Sequence, residues 1–210
     1  MLSDKFFDEV SDTLFFGSLP TFQKQPLADM GEEFSRRGWK DLNKLAYIMA
    51  TTYHETERYK TLVEYGRGRG RDYGVKLLTI RGKSEAYYGR GWVQLTWLRN
   101  YAKLSIAASM ALGKTIDLVN DPDILTRDTE VNAFVAFEGM AQGLFTGRKL
   151  NQYFNATNCN FTGARKIING TDKATLIAGY ASKFREALAN GWNEEEESTE
   201  EERRPFKFHQ

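Results

Sequence analysis

Two carboxylates in the stretch Leu42 to Gly66, LNKLAYIMATTYHETERYKTLVEYG, have the type and spacing to do chemistry. Glu55 follows an apolar run, and Glu64 stands nine residues later at the mouth of a glycine-rich segment. Paired carboxyl groups divide acid and base work when their surroundings differ, because apolar neighbours disfavour the charged form and favour proton donation near neutral pH. Glu55 is expected in such apolar surroundings. Arg67, Arg69 and Arg71 follow Glu64 closely enough to hold it ionised, as a base requires. Two acids nine apart are also what a solvated surface carries, so the pair alone decides nothing.

The elements that must position the pair follow from periodicity. Leu42, Leu45, Ala46, Met49 and Tyr53 have the spacing of a helix laying one face on a core, with Asp41 as its N-cap. On one straight helix Glu55 and Glu64 would lie roughly 13 Å apart along the axis and about half a turn apart around it. The helix must therefore end between them and the chain fold back, and Gly66, Gly68 and Gly70 ease that departure. Further helices are expected over 4–16, 21–37, 121–142 (starting at Asp121-Pro122), 162–169 and 172–190, with a shorter amphipathic piece over 146–154. The basic run 66–84, GRGRGRDYGVKLLTIRGKS, lacks the G-x-G-x-x-G spacing and is expected as a mobile loop or a short hairpin.

Residues 86–104, AYYGRGWVQLTWLRNYAKL, supply the groups to hold a sugar. Tyr88, Trp97 and Tyr101 offer aromatic faces for the apolar faces of sugar rings, and Gln94, Thr96 and Asn100 offer directional hydrogen bonds. Some of Trp92, Leu95 and Trp97 must simply fill core.

Composition bounds the rest. The chain has 210 residues, 41% of them apolar, enough for one substantial core. No run is long and apolar enough to span a membrane, and MLSDKFFDEVSD lacks the basic start of a secretory signal. The single cysteine, Cys159, excludes an internal disulfide and fits synthesis in a reducing cytoplasm. Two histidines and the failed HExxH pattern in HETER leave no expectation of a metal or cofactor. Residues 194–210 hold seven glutamates against Arg203, Arg204 and Lys207, net −4, and are expected as a disordered acidic tail. That leaves +5 on the expected domain, residues 1–193, a charge that draws polyanions or is merely solvated.

Taken together, HET with a second Glu nine residues on, YYGRGxxQLTWxxNY, and the IING turn resemble family 19 glycoside hydrolases, the plant-type chitinases and their phage endolysin relatives. FFDEVSDTLFFGSL and VEYGRGRGRDYGV are similar to the phage and bacterial branch in particular, and the likeness covers about residues 5–190. The resemblance implies a mostly α-helical, lysozyme-like single domain with a catalytic cleft and little β structure. It implies inverting hydrolysis of β-1,4 bonds between N-acetylated sugars, with Glu55 as general acid, Glu64 as general base and Thr96 holding the attacking water. Gln94, Asn100 and Asn169 match sugar-contacting positions, and His54, Tyr88, Trp97 and Tyr101 are expected beside them. Two departures fall on positions that line the chitinase cleft: Lys173 stands where the family has a Glu, and Leu176 where it has an Arg. The expectation is therefore a monomeric peptidoglycan muramidase that waits in a host cytoplasm for a separate holin, binds no nucleic acid and makes no stable membrane insertion. A chitinase or chitosanase, or a non-catalytic glycan-binding relative, are the alternatives.

Overall fold

A computed structural model describes residues 1–193. The expected acidic tail, 194–210, lies outside the described residues. Among the described residues the chain forms eight α-helices and two small two-stranded sheets: α1 (Asp4–Leu14), α2 (Thr21–Arg36), α3 (Leu42–Glu55), β1 (Leu77–Leu78), β2 (Ser84–Glu85), α4 (Leu98–Leu112), α5 (Ile124–Arg127), α6 (Thr129–Gln142), β3 (Phe154–Asn155), β4 (Asn158–Cys159), α7 (Phe161–Ala164) and α8 (Ala174–Gly191). Both sheets are antiparallel hairpins, β1 with β2 and β3 with β4. The mostly helical fold expected from the sequence is the one observed.

Helix α3 runs through the middle. Its N-cap is Asp41, whose carboxylate accepts from the Asn43 amide at 3.0 Å. The apolar spacing predicts one buried face, yet every residue from Leu45 to Tyr53 is buried. Helix α8 packs along α3 on one side and along α1 on the other, while α2 and α6 close the remaining sides. Helix α6 is itself buried over Val131–Met140, which explains its near-continuous apolar sequence.

Buried charges inside this bundle are paired, as their desolvation requires. The Arg37 side chain bridges Glu33 of α2 and Glu138 of α6, each at 2.5 Å. Such a bridge ties α2 to α6.

Two expected boundaries moved for local reasons. The helix predicted from Asp121-Pro122 is interrupted at Asp128, whose extended backbone and side chain, accepting from the Val131 amide, cap a new helix there. The piece expected over 162–169 forms as α7 followed by a 3₁₀ turn over Arg165–Ile167. The basic run 66–84 takes turns and a 3₁₀ turn (Asp72–Gly74) in its first half and enters the β1–β2 hairpin only in its second.

Candidate active site

The chain leaves α3 immediately after Glu55, by a turn that contains no glycine. Glu57, Arg58 and Tyr59 all take left-handed φ values, 49°, 65° and 62°. Such a run is strained for residues with a Cβ and persists only where its surroundings over-determine it. Here the Thr56 hydroxyl donates to the Thr52 carbonyl at 2.6 Å and accepts from the Tyr59 amide at 3.0 Å. The buried Tyr59 hydroxyl donates to the Met49 carbonyl at 2.9 Å. The glycines expected to release the helix lie downstream of a reversal already completed.

That reversal brings Glu64 alongside the Gly89–Thr96 turn. The Glu64 amide donates to the Gly89 carbonyl, and the Gly91 amide donates to the Leu62 carbonyl, both at 2.9 Å. A Cβ on Gly89 would meet Gln94 Oε1 at 2.7 Å and Glu64 Cβ at 3.2 Å, so the close approach of these two segments requires glycine there.

The Glu64 carboxylate is held at both oxygens. Tyr73 donates its hydroxyl to Oε1 and the Gly89 amide donates to Oε2, each at 2.9 Å. Burial, then the bond to Glu64 and its charge, raise the Tyr73 pKa, so the phenol stays protonated and remains a donor across the neutral range. The arginines expected to perform this role do not: none of Arg67, Arg69 or Arg71 forms an ion pair with a described residue.

Glu55 is also held differently from expectation. Instead of purely apolar neighbours it meets Arg165, which is 2% exposed and donates from Nη1 to Glu55 Oε1 at 2.7 Å. Arg165 is fixed in turn by its Nε, which donates to the Asp172 carbonyl at 2.9 Å. The other Glu55 oxygen makes no hydrogen bond to a described residue and is the one left for a ligand.

Both carboxylates line one open cleft of about 710 Å³. Thr96, Gln94, Trp97, Asn100 and Asn169 line it as well, so seven of the ten expected site residues share one cavity. Trp97 is 41% exposed and meets Tyr73 edge-on with ring centroids 5.5 Å apart, a placement suited to stacking, whereas Trp92 and Leu95 are core. The Asn100 side chain donates to the Thr96 carbonyl at 2.9 Å and so ties the first turn of α4 to the cleft wall.

The other three expected residues are elsewhere. Tyr101 is fully buried, and its hydroxyl donates to the Tyr88 carbonyl at 2.6 Å, so it supports the wall from behind. Tyr88 is half-buried under the Arg90 guanidinium, 3.6 Å from its ring centroid, and does not line the cleft. His54 faces a separate groove with Tyr53, Arg58 and Tyr180, because one step along α3 from Glu55 turns a side chain by about 100°. Burial lowers the His54 pKa. Neither Lys173 nor Leu176 lines the cleft.

Tyr73 and Arg165 are the functional neighbours the sequence did not reveal. Arg165 had little signal, being one of two adjacent cations, Arg165 and Lys166, between Ala164 and Ile167, of which only Arg165 is buried. Tyr73 had none, since only the folding of 66–88 brings it to Glu64.

No family model matches the chain. The acidic endochitinase Q of Nicotiana tabacum is 31% identical over 102 residues, 49% of this chain and 34% of that protein. An endochitinase of Arabidopsis thaliana is 31% identical over 111 residues, 52% of this chain and 37% of that protein. The chain thus spans about a third of the length of the curated relatives it matches. The fold superposes on the crystal structure of a bacterial family 19 chitinase, with TM-score 0.53 and 21% identity, covering 89% of this chain and 93% of that one. The chain has a family 19 chitinase-like fold.

Proposed function

We propose that the chain is a glycoside hydrolase that cleaves β-1,4 bonds next to N-acetylglucosamine by inversion, with Glu55 as general acid and Glu64 as general base. The observation that carries this reading is the convergence of both carboxylates with Thr96, Gln94, Asn100 and Asn169 on one cleft. In an inverting reaction one carboxyl protonates the leaving oxygen while the other takes a proton from water attacking the opposite face of the sugar. Glu64, fixed by two neutral donors, is oriented to receive that proton. Glu55, anchored by Arg165 through one oxygen, presents the other to the glycosidic oxygen. Thr96 helps Glu64 hold the water.

The finer reading is a phage-type endolysin that cuts peptidoglycan between N-acetylmuramic acid and N-acetylglucosamine and lyses its host as a monomer. It would act from the cytoplasm once a holin opens the membrane. Its support is the +5 charge of residues 1–193, suited to an anionic envelope. Chitin hydrolysis is the second reading, favoured by the two plant endochitinases the chain resembles.

One assay separates them. The protein is added to permeabilised Gram-negative cells, followed by turbidity, and in parallel to colloidal chitin, followed by reducing ends. Clearing of cells with little release from chitin is the expected result. Release from chitin alone would overturn the endolysin reading. Glu55→Gln, nearly isosteric but unable to donate the proton, is expected to lower either activity by about 10²–10⁴-fold. Retention of half the activity would remove Glu55 from its role.

A further inference from the structure

We propose that the β1–β2 hairpin is a contact surface for an anionic phospholipid bilayer, separate from the glycan cleft. Both residues of β1 are exposed. Val75, Leu77, Leu78 and Ile80 are 58%, 42%, 79% and 96% exposed, four large apolar side chains within six positions. Apolar exposure concentrated on one short hairpin points to a surface with a partner.

A frayed loop does not present them. The Thr79 amide donates to the Lys83 carbonyl at 2.7 Å and the Gly82 amide to the Thr79 carbonyl at 2.9 Å, closing a turn with Ile80 and Arg81 at its tip. Thr79 itself is buried. The Tyr87 amide donates to the Tyr73 carbonyl at 3.1 Å and ties the hairpin to the same residue that holds Glu64.

Charge identifies the partner. Arg67, Arg69, Arg71, Lys76, Arg81 and Lys83 are all exposed, against one acid, Asp72, in residues 66–84. The resulting +5 equals the entire net charge of residues 1–193; at the tip Arg81 pairs with Asp117 at 3.2 Å, while Lys76 and Lys83 flank the apolar side chains in sequence and form no ion pair with a described residue. A polyanion such as nucleic acid would use the cations and leave the apolar side chains in water. A bilayer with anionic headgroups uses both, each Lys or Arg near its surface adding roughly fivefold to affinity while the apolar tip enters the headgroup boundary. No described helix is long and apolar enough to cross a membrane, so the contact is interfacial.

The test is co-sedimentation of the full chain with vesicles of phosphatidylcholine, alone or mixed equally with phosphatidylglycerol. Binding is expected only to the mixed vesicles, weakening with salt and falling about tenfold or more in the double variant Leu78→Ser/Ile80→Ser. In a Cys159→Ser background, an environment-sensitive dye on Ile80→Cys should brighten and blue-shift with mixed vesicles, while the same dye on Ser182→Cys of α8 should not. Hydrolysis of soluble glycan by the serine variant should be unchanged, which also shows that it has folded. No binding, or equal binding to neutral vesicles, overturns the proposal. Salt-sensitive binding that ignores the serine substitutions also overturns it, and assigns the basic run to polyanions in general.

Discussion

Glu55 and Glu64 differ in the groups that hold them: Glu55 meets the buried Arg165 guanidinium, and Glu64 meets two neutral donors. Glu64 accepts from a neutral phenol and a backbone amide, which fix the orientation of its carboxylate. If it is the base of an inverting reaction, Glu64→Gln should abolish turnover, and added azide should restore it by attacking the anomeric carbon from the side the water occupied. The restored product should be the α-azide, read by the anomeric proton coupling. A β-azide would make Glu64 a nucleophile and the mechanism retaining. Thr96 offers a second test at the same scale. Thr96→Val keeps the shape and loses the hydroxyl, so kcat should fall with KM nearly constant, while Thr96→Ser should retain most of the activity. Equal behaviour of the two variants would reduce Thr96 to a wall of the cleft.

Helix α8 is the element on which the placement of α3, and so of Glu55, depends. It packs along both α3 and α1, and its last residue touches the first turn of α1. A Cβ built on Gly191 would lie 2.4 Å from the Phe6 amide nitrogen and 2.7 Å from its Cα, so backbone and not merely a side chain would have to move. Gly191→Ala is expected to cost about 1–3 kcal/mol, measured as a fall in the denaturation midpoint at constant m-value. Gly179 provides the control within the same helix: a Cβ there meets nothing within 4 Å. Gly179→Ala is expected to stabilise by about 0.5–1 kcal/mol through helix propensity. Loss of stability in both variants would indicate that α8 tolerates no change of any kind, contrary to the packing described.

Across the whole molecule, buried tyrosines set the alkaline limit of the fold. Tyr47 donates to the Ala164 carbonyl at 2.7 Å and Tyr53 to the Leu14 carbonyl at 2.6 Å, and burial pushes each pKa from 10.0 to about 12. Burial raises Tyr59 and Tyr101 as well. With a folded-state pKa above the unfolded one, the unfolded chain loses these protons first. Stability from these groups is therefore complete below about pH 10 and is lost as pH rises towards 12. Tyrosinate absorbance should rise in two stages: exposed phenols near pH 10, then a steep step above it that coincides with loss of helical dichroism. A single smooth titration finished by pH 11 would show that these rings are accessible.

The helical class, Asp41 as the cap of α3, the buried α6 and seven residues that line one cleft were legible in the chain because they rest on local rules. Helix period, capping chemistry and the polar side chains set among aromatics in 88–101 act within a few residues of one another. Three decisions were made only by packing over long separations. The turn after Glu55 uses left-handed Glu57, Arg58 and Tyr59, which no local propensity favours and which Tyr59 holds through a bond to Met49 on the preceding helix. Tyr101 and Tyr88 have the composition of sugar platforms, yet the buried Arg90 drew both rings to itself, since a desolvated guanidinium must find partners. The electrostatics of the two acids were reversed for the same reason. The arginines near Glu64 in sequence point into water, where they are best solvated. Arg165, 110 residues from Glu55, is buried by α7 and α8 and has the Glu55 carboxylate as its counter-charge.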